Sequence, residues 1–247
     1  MHFEKVGEFC NLEMSYICDF SSGYISRNNN LLRELELNRL TQFILSKCVH
    51  GTPIFKLGDG GSRILILSGI HGNELPPQIA NVRLLNELAG RDLENTLYFI
   101  PFASPKSTMH NERTFNEMDL NRSAHIRNSL SNLIVQAVEN LEIDFVGDFH
   151  STSYNANPGI ESVFSSKAPS PESYLIANHI SRAVGCEMIS FDIAGASYKG
   201  AVEDVCNLKK VPAVTCEVLC PFANVASGSV EKSFAQMESF LAYFGVL

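Results

Sequence analysis

Two histidines and two glutamates stand where apolar stretches of this sequence end. His71 and Glu74 are three apart in Gly69-Ile70-His71-Gly72-Asn73-Glu74, just after the apolar run Arg63-Ile64-Leu65-Ile66-Leu67-Ser68. His150 follows the run from Ile143 to Phe149, and Glu217 follows Ala213-Val214-Thr215-Cys216. In an open α/β sheet such strand ends share one crevice, which is where ligands bind. A histidine and a glutamate three apart in a glycine-containing loop can both turn to one ion. A third ligand from another strand, His150, completes a His₂Glu set and leaves the fourth position for water, the donor pattern of catalytic zinc. One Zn²⁺ ion is therefore the expected cofactor, although Co²⁺ or Mn²⁺ would accept the same ligands. Taken singly, His71 fits a loop histidine bonded to backbone, and Glu74 fits a carboxylate stabilised by a helix N-terminus. The convergence of His150 and Glu217 on the same place favours the metal. A glutamate buried in an apolar strand without a partner is costly, so Glu217 calls for a role.

The elements that must position these residues follow from hydrophobic periodicity. Leu32, Leu35, Leu40, Phe43 and Ile44 repeat at near-helical spacing within residues 31–48. Residues 52–57 and 63–68 read as two strands of a hairpin around the turn Gly58-Asp59-Gly60-Gly61-Ser62, the second with the continuous apolar character of a central strand. Helices are predicted over 76–88, 129–141, 171–184, 200–208 and 229–244, and strands over 97–101, 143–149, 187–191 and 213–219. Strands separated by helices predict an α/β fold: a single domain over residues 1–247, with a mixed, mostly parallel sheet and helices on both faces.

Composition bounds the function class. The chain has 247 residues, 45 % of them hydrophobic and 19 % charged, as in a globular protein. Its net charge of −8 and the absence of a basic cluster beyond Lys209-Lys210 argue against nucleic acid or an anionic membrane as partner. The N-terminal residues carry no signal-peptide pattern, and the run from Ile64 to Ile70 is far shorter than the ~20 residues of a membrane helix. Seven cysteines, at 10, 18, 48, 186, 206, 216 and 220, form no CxxC pair. Reduced thiols in a cytoplasmic protein are the expectation. Cys216 alternates to the face opposite Glu217, which points to packing rather than nucleophilic chemistry. Gly58-Asp59-Gly60-Gly61 has no P-loop context.

Four segments together resemble the succinylglutamate desuccinylase/aspartoacylase branch of the zinc carboxypeptidase superfamily. Gly69-Ile70-His71-Gly72-Asn73-Glu74 is similar to its GxHGNE zinc motif, and Asp119-Leu120-Asn121-Arg122 to its DLNR motif. Asp148-Phe149-His150-Ser151-Thr152 is similar to its DLHxT segment, and Val211-Pro212-Ala213-Val214-Thr215-Cys216-Glu217 to its IPAVTxE strand. The motifs lie in family order. The resemblance implies that Glu217 is the general base on the attacking water. It implies that Asn121 and Arg122 clamp a substrate carboxylate, although an arginine there also fits a surface ion pair. It further implies that Arg113 stabilises the oxyanion and that Asp119 orients His71, for which a turn-capping aspartate is the equal alternative. Tyr198 falls where the superfamily has a substrate-covering loop. Only 30 residues follow Glu217, so the β-rich C-terminal domain of aspartoacylases is not expected, and Lys209 or Lys210 falls where aspartoacylases place an extra substrate-binding arginine.

The implied activity is hydrolysis of an N-acyl amino acid. The expected partner is a small acidic N-acyl amino acid or a short peptide. A metallocarboxypeptidase releasing a C-terminal residue is the second reading. An inactive metal- or ligand-binding module is the third, opposed by the complete set of His71, Glu74, His150, Glu217 and Arg122.

Overall fold

The computed structural model describes residues 1–7, 9 and 11–247. Cys10 lies outside the described residues; the other six cysteines are free thiols. The strands are β1 (Glu4–Lys5), β2 (Leu12–Cys18), β3 (Thr52–Leu57), β4 (Arg63–Ser68), β5 (Thr96–Ile100), β6 (Phe145–Thr152), β7 (Ser162–Ala168), β8 (Glu187–Ile193) and β9 (Ala213–Leu219). The α-helices are α1 (Asn29–Leu32), α2 (Arg39–Lys47), α3 (Leu75–Leu88), α4 (Pro105–His110), α5 (Leu130–Asn140), α6 (Pro171–Val184), α7 (Val202–Leu208) and α8 (Ser229–Tyr243).

Among the described residues, the nine strands form one sheet in the order β1-β2-β3-β5-β4-β6-β9-β7-β8. The central four, β5, β4, β6 and β9, run parallel. Antiparallel pairing brings in β3 on one side and β7 on the other. The alternation of β4 explains the two-faced core: Ile64 and Ile66 join one buried cluster, while Leu65 and Leu67 join the other. Helices α3, α6 and α8 supply the first cluster, and α5 and α7 supply the second. The expected α/β sheet with helices on both faces is thus present. Among the described residues no helix is long and apolar enough to cross a membrane.

Two local expectations are corrected. Residues 52–57 and 63–68 do not form a hairpin, because β5 lies between β3 and β4. The glycine turn instead wraps the start of β5: Ser62 N donates to Asn95 Oδ1 at 2.9 Å, and Thr96 Oγ1 donates to Gly60 O at 2.8 Å. The apolar β4 thereby takes a central position and leaves β3 nearer the edge. The helical stretch 31–48 is broken into α1 and α2, since Asn28 and Asn38 each cap a separate helix by accepting from Leu31 N and Thr41 N.

Candidate functional site

The loop after β4 is held open for chemistry by its surroundings. Gly69 has φ +77°, a left-handed backbone suited to glycine. Gly72 lies against α4, where a Cβ would come within 2.1 Å of Ser107 C and 2.3 Å of Thr108 N. Buried Gln78, in the first turn of α3, donates to the carbonyls of Gly72 at 3.3 Å and Glu74 at 2.8 Å, and its Oε1 accepts from Thr108 Oγ1 at 2.8 Å. His71 and Glu74 therefore project from a fixed loop into the crevice at the carboxyl end of the sheet. Both are buried.

His150 and Glu217 arrive from adjacent parallel strands and are register partners. The Glu74 carboxylate sits between the two imidazoles, with Oε1 2.7 Å from His71 Nδ1 and Oε2 2.8 Å from His150 Nδ1. Ser151 N also donates to Oε2, at 3.1 Å. Burial by itself would raise the Glu74 carboxyl, but His71 and His150 outweigh it and hold the group well below the usual carboxylate range. The far nitrogens of both rings face acids. His71 Nε2 lies 3.0 Å from Asp119 Oδ1, and His150 Nε2 lies 3.1 Å from Asp148 Oδ2, close but not aligned as a hydrogen bond. Burial opposes charge on His150, yet Asp148 and Glu74 push its pKa well up. Asp119, raised by burial, is drawn well down by its bond to His71 and by Arg113. Its Oδ1 also accepts from Asn121 N at 2.9 Å, so the capping and histidine-orienting roles coexist in one side chain.

The donor set fits a divalent metal. One ligand atom each from His71, Glu74 and His150 lies within 4.8 Å of the others. Tetrahedral zinc with bonds of about 2.0–2.2 Å places its ligands roughly 3.4 Å apart, within reach of that cluster. Both buried Asp148 oxygens and Glu217 Oε2 lack a hydrogen-bond partner, and among the described residues Arg113 is the cation paired with the acids beside the imidazoles, Glu74 and Asp119. Such a field favours a bound cation.

A cavity of about 220 Å³ opens beside this cluster. It is lined by His71, Glu74, Arg113, Asn121, Arg122, Tyr198 and Glu217, so seven of the nine residues nominated from sequence meet in it. The other two, His150 and Asp119, stand behind the lining as buried and half-buried supports. Glu217 is pushed up to about 8 by burial and the nearby Glu74 carboxylate, against the pull of His150 and Arg113. Arg113 Nη1 is 3.2 Å from Glu74 Oε1 and its Nη2 is 3.4 Å from Asp119 Oδ2. The Arg122 guanidinium stacks 5.1 Å above the Tyr198 ring, and Tyr198 OH donates to Asn157 Oδ1 at 3.1 Å. Cys216 packs in the core on the opposite face of β9, as its alternation requires. Lys209 instead pairs with Glu139 at 2.7 Å, and neither it nor Lys210 lines the cavity.

Two residues outside the nominated set join the site. Asp148 is two before His150 in β6, so both project to one face, and an aspartate inside an apolar run is a legible signal. Glu203, buried in the first turn of α7, lines the cavity. In sequence it looks like an ordinary helix-start acid, and no spacing marks it.

Comparison with known proteins gives a consistent picture. A family model described as the succinylglutamate desuccinylase/aspartoacylase catalytic domain matches residues 60–218, more than half of the chain. No curated protein matches. Among solved structures, an aspartoacylase family protein from Mesorhizobium loti is 21 % identical with a TM-score of 0.60, over 79 % of this chain and 62 % of that one. The product-bound ectoine utilization protein EutE (DoeB) from Ruegeria pomeroyi is 15 % identical with a TM-score of 0.65, over 81 % and 63 %. A metallo-carboxypeptidase from Burkholderia cenocepacia is 13 % identical with a TM-score of 0.59, over 78 % and 61 %. The chain thus matches just over three fifths of the length of each of these structures, and the likeness is one of fold.

Proposed function

The chain belongs to the succinylglutamate desuccinylase/aspartoacylase catalytic-domain family, and from that membership we propose a zinc-dependent hydrolase that removes the acyl group from an N-acyl amino acid. The observation that carries this reading is the buried triad of His71, Glu74 and His150, with Glu217 register-paired beside it at the wall of a small cavity. A bound zinc ion supplies Lewis acidity, polarising the scissile carbonyl and acidifying the attacking water.

The remaining chemistry belongs to the protein. Glu217 takes the proton of the attacking water and passes it to the leaving nitrogen; its carboxyl, raised by burial, is suited to giving the proton back. Asp119 accepts from His71 Nε2–H, which fixes the tautomer and frees Nδ1 as a donor to metal. Asp148 lies 3.1 Å from His150 Nε2 without an aligned hydrogen bond, and its carboxylate favours positive charge on that ring. Arg113, beside Glu74 at the cavity wall, offers its guanidinium to the oxygen on which charge develops. Arg122 and Asn121 hold the substrate carboxylate, for which a planar guanidinium and an amide are matched donors.

The same residues would serve release of a C-terminal residue from a short peptide, and the fold likeness to a metallo-carboxypeptidase supports that second reading. Assay of N-acetyl and N-succinyl amino acids beside dipeptides separates the two: cleavage of peptides alone would reject the deacylase. In Glu217→Gln, zinc content is retained while turnover falls by at least ~10²-fold, the scale of lost general-base catalysis. Unchanged turnover in that variant would reject the mechanism.

A further inference from the structure

The cavity has a second chemically distinct end. Thr215 precedes Glu217 by two residues in β9, so their side chains share a face and Thr215 lies roughly 6–7 Å further below the carboxyl end of the sheet. Thr215, Glu203, Ala201 and Phe164 all line the cavity. Glu203 is only 5 % exposed. Its Oε1 accepts from Asn207 Nδ2 at 2.6 Å. Among the described residues no cationic side chain is paired with it, and the groups acting on it are the further acids Asp204 and Asp148. Asp204 is itself engaged, accepting from the backbone N–H groups of Gly195 and Gly200.

A buried carboxyl that faces a cavity and lacks a cation is costly to keep unless a ligand completes it. The polar groups lining this end are a carboxyl and a hydroxyl, so an acidic side chain finds no cation there, while a basic tip pairs with Glu203 and favours its ionised form. Arg122 and Asn121 line the same cavity and suit a carboxylate. Alanine and phenylalanine walls suit the methylene stem of a long side chain whose charged tip reaches Glu203.

We propose that the deep end of this cavity is a cation subsite, in which Glu203 and Thr215 receive the amino or guanidino tip of a basic amino acid whose α-carboxylate is held by Arg122. The proposal rests on the reading of the cavity as the seat of an amino-acid leaving group, and it assigns that group to the basic class. With no cation present, burial and the neighbouring acids push the Glu203 carboxyl up to about 8, as expected of a site that awaits positive charge.

The test is calorimetric binding of free amino acids to the zinc-loaded protein: L-lysine, L-ornithine and L-arginine against L-norleucine, which lacks the amino tip, and L-glutamate. At least one basic amino acid should bind about tenfold or more tighter than norleucine, the scale of a charge-assisted hydrogen bond, with glutamate weakest. Glu203→Gln keeps an acceptor for Asn207 and should close most of that gap. Norleucine or glutamate binding as tightly as every basic amino acid, a gap unchanged in Glu203→Gln, or no binding of any basic amino acid overturns the subsite. Turnover of the matching N-acetyl amino acids judges the hydrolase reading separately. Hydrolysis with a preference for acidic side chains sinks the subsite alone, and the expected binding order without any hydrolysis sinks the hydrolase alone.

Discussion

Replacing Glu203 by glutamine tests whether this acid is retained at the expense of stability. Its carboxyl is buried without a cation and is pushed from 4.5 up to about 8 by burial, then Asp204 and Asp148. The folded-state value is raised, so the folded protein binds the proton more tightly than the unfolded chain. The stabilisation is fully present below pH 4.5, where both states are protonated. It is lost as pH rises and the unfolded chain ionises first, until the folded protein also ionises near pH 8. At about 1.36 kcal/mol per unit, the loss reaches roughly 3 kcal/mol at pH 7 and at most about 5 kcal/mol above pH 8. Water reaching the cavity lowers both figures, and a pH-dependent gain of about 1–3 kcal/mol at pH 7 is the expectation for the variant. Glutamine preserves the acceptor for Asn207 Nδ2 and removes only the ionisation. Urea unfolding of the metal-free wild type and Glu203→Gln from pH 4.5 to 8 measures the difference, because every other titration is common to both. A difference that widens with pH in favour of the variant supports the reasoning. A difference that stays flat across the range refutes it, since Glu203 would then ionise as an ordinary carboxyl.

Other perturbations follow from the same geometry. Asp119→Ala removes the acceptor of His71 Nε2, and zinc affinity measured by chelator competition should fall by about 10–100-fold. Gly72→Ala drives a methyl into the backbone of residues 107 and 108, and it should lower both thermal stability and zinc retention. In the metal-free site Glu217 is pushed up to about 8, and Asp148 and Glu74 favour the protonated form of His150 against its burial, so zinc binding should release protons. Calorimetric zinc titrations at pH 7 in buffers of different ionisation enthalpy will register that release, and buffer-independent heats would contradict it.

Much of the architecture was legible because the central strands are apolar on both faces. The run Ile64-Leu65-Ile66-Leu67 admits no edge position, and Ala213–Leu219 and Pro171–Val184 match their expected bounds. What escaped was long-range order. Periodicity places a strand at 52–57 and another at 63–68, but β3 pairs through residues 55–57 with residues 97–99 of β5, while Asn95 and Thr96 hold the glycine turn against the start of that strand. The strand Ser162–Ala168 hides behind three serines and a lysine, and its place beside β9 compensates for that weak local signal. The site follows the same division. His71, Glu74, His150 and Glu217 were readable because strand ends in an open sheet must converge. Asp148 was present in the pattern without an assigned partner. Glu203 was invisible, since its meaning depends on which side of α7 meets the cavity rather than on its neighbours in the chain.

The claim beneath all of this is that one cation is held by three side chains drawn from the loop after β4 and from β6. Anomalous diffraction at the zinc absorption edge, from crystals of the zinc-loaded protein, examines it directly. The account predicts a single strong peak bonded by Nδ1 of His71, Nδ1 of His150 and the Glu74 carboxylate, with no fourth protein ligand. A zinc ion bound elsewhere, or no peak between these three residues at saturating zinc, would contradict it.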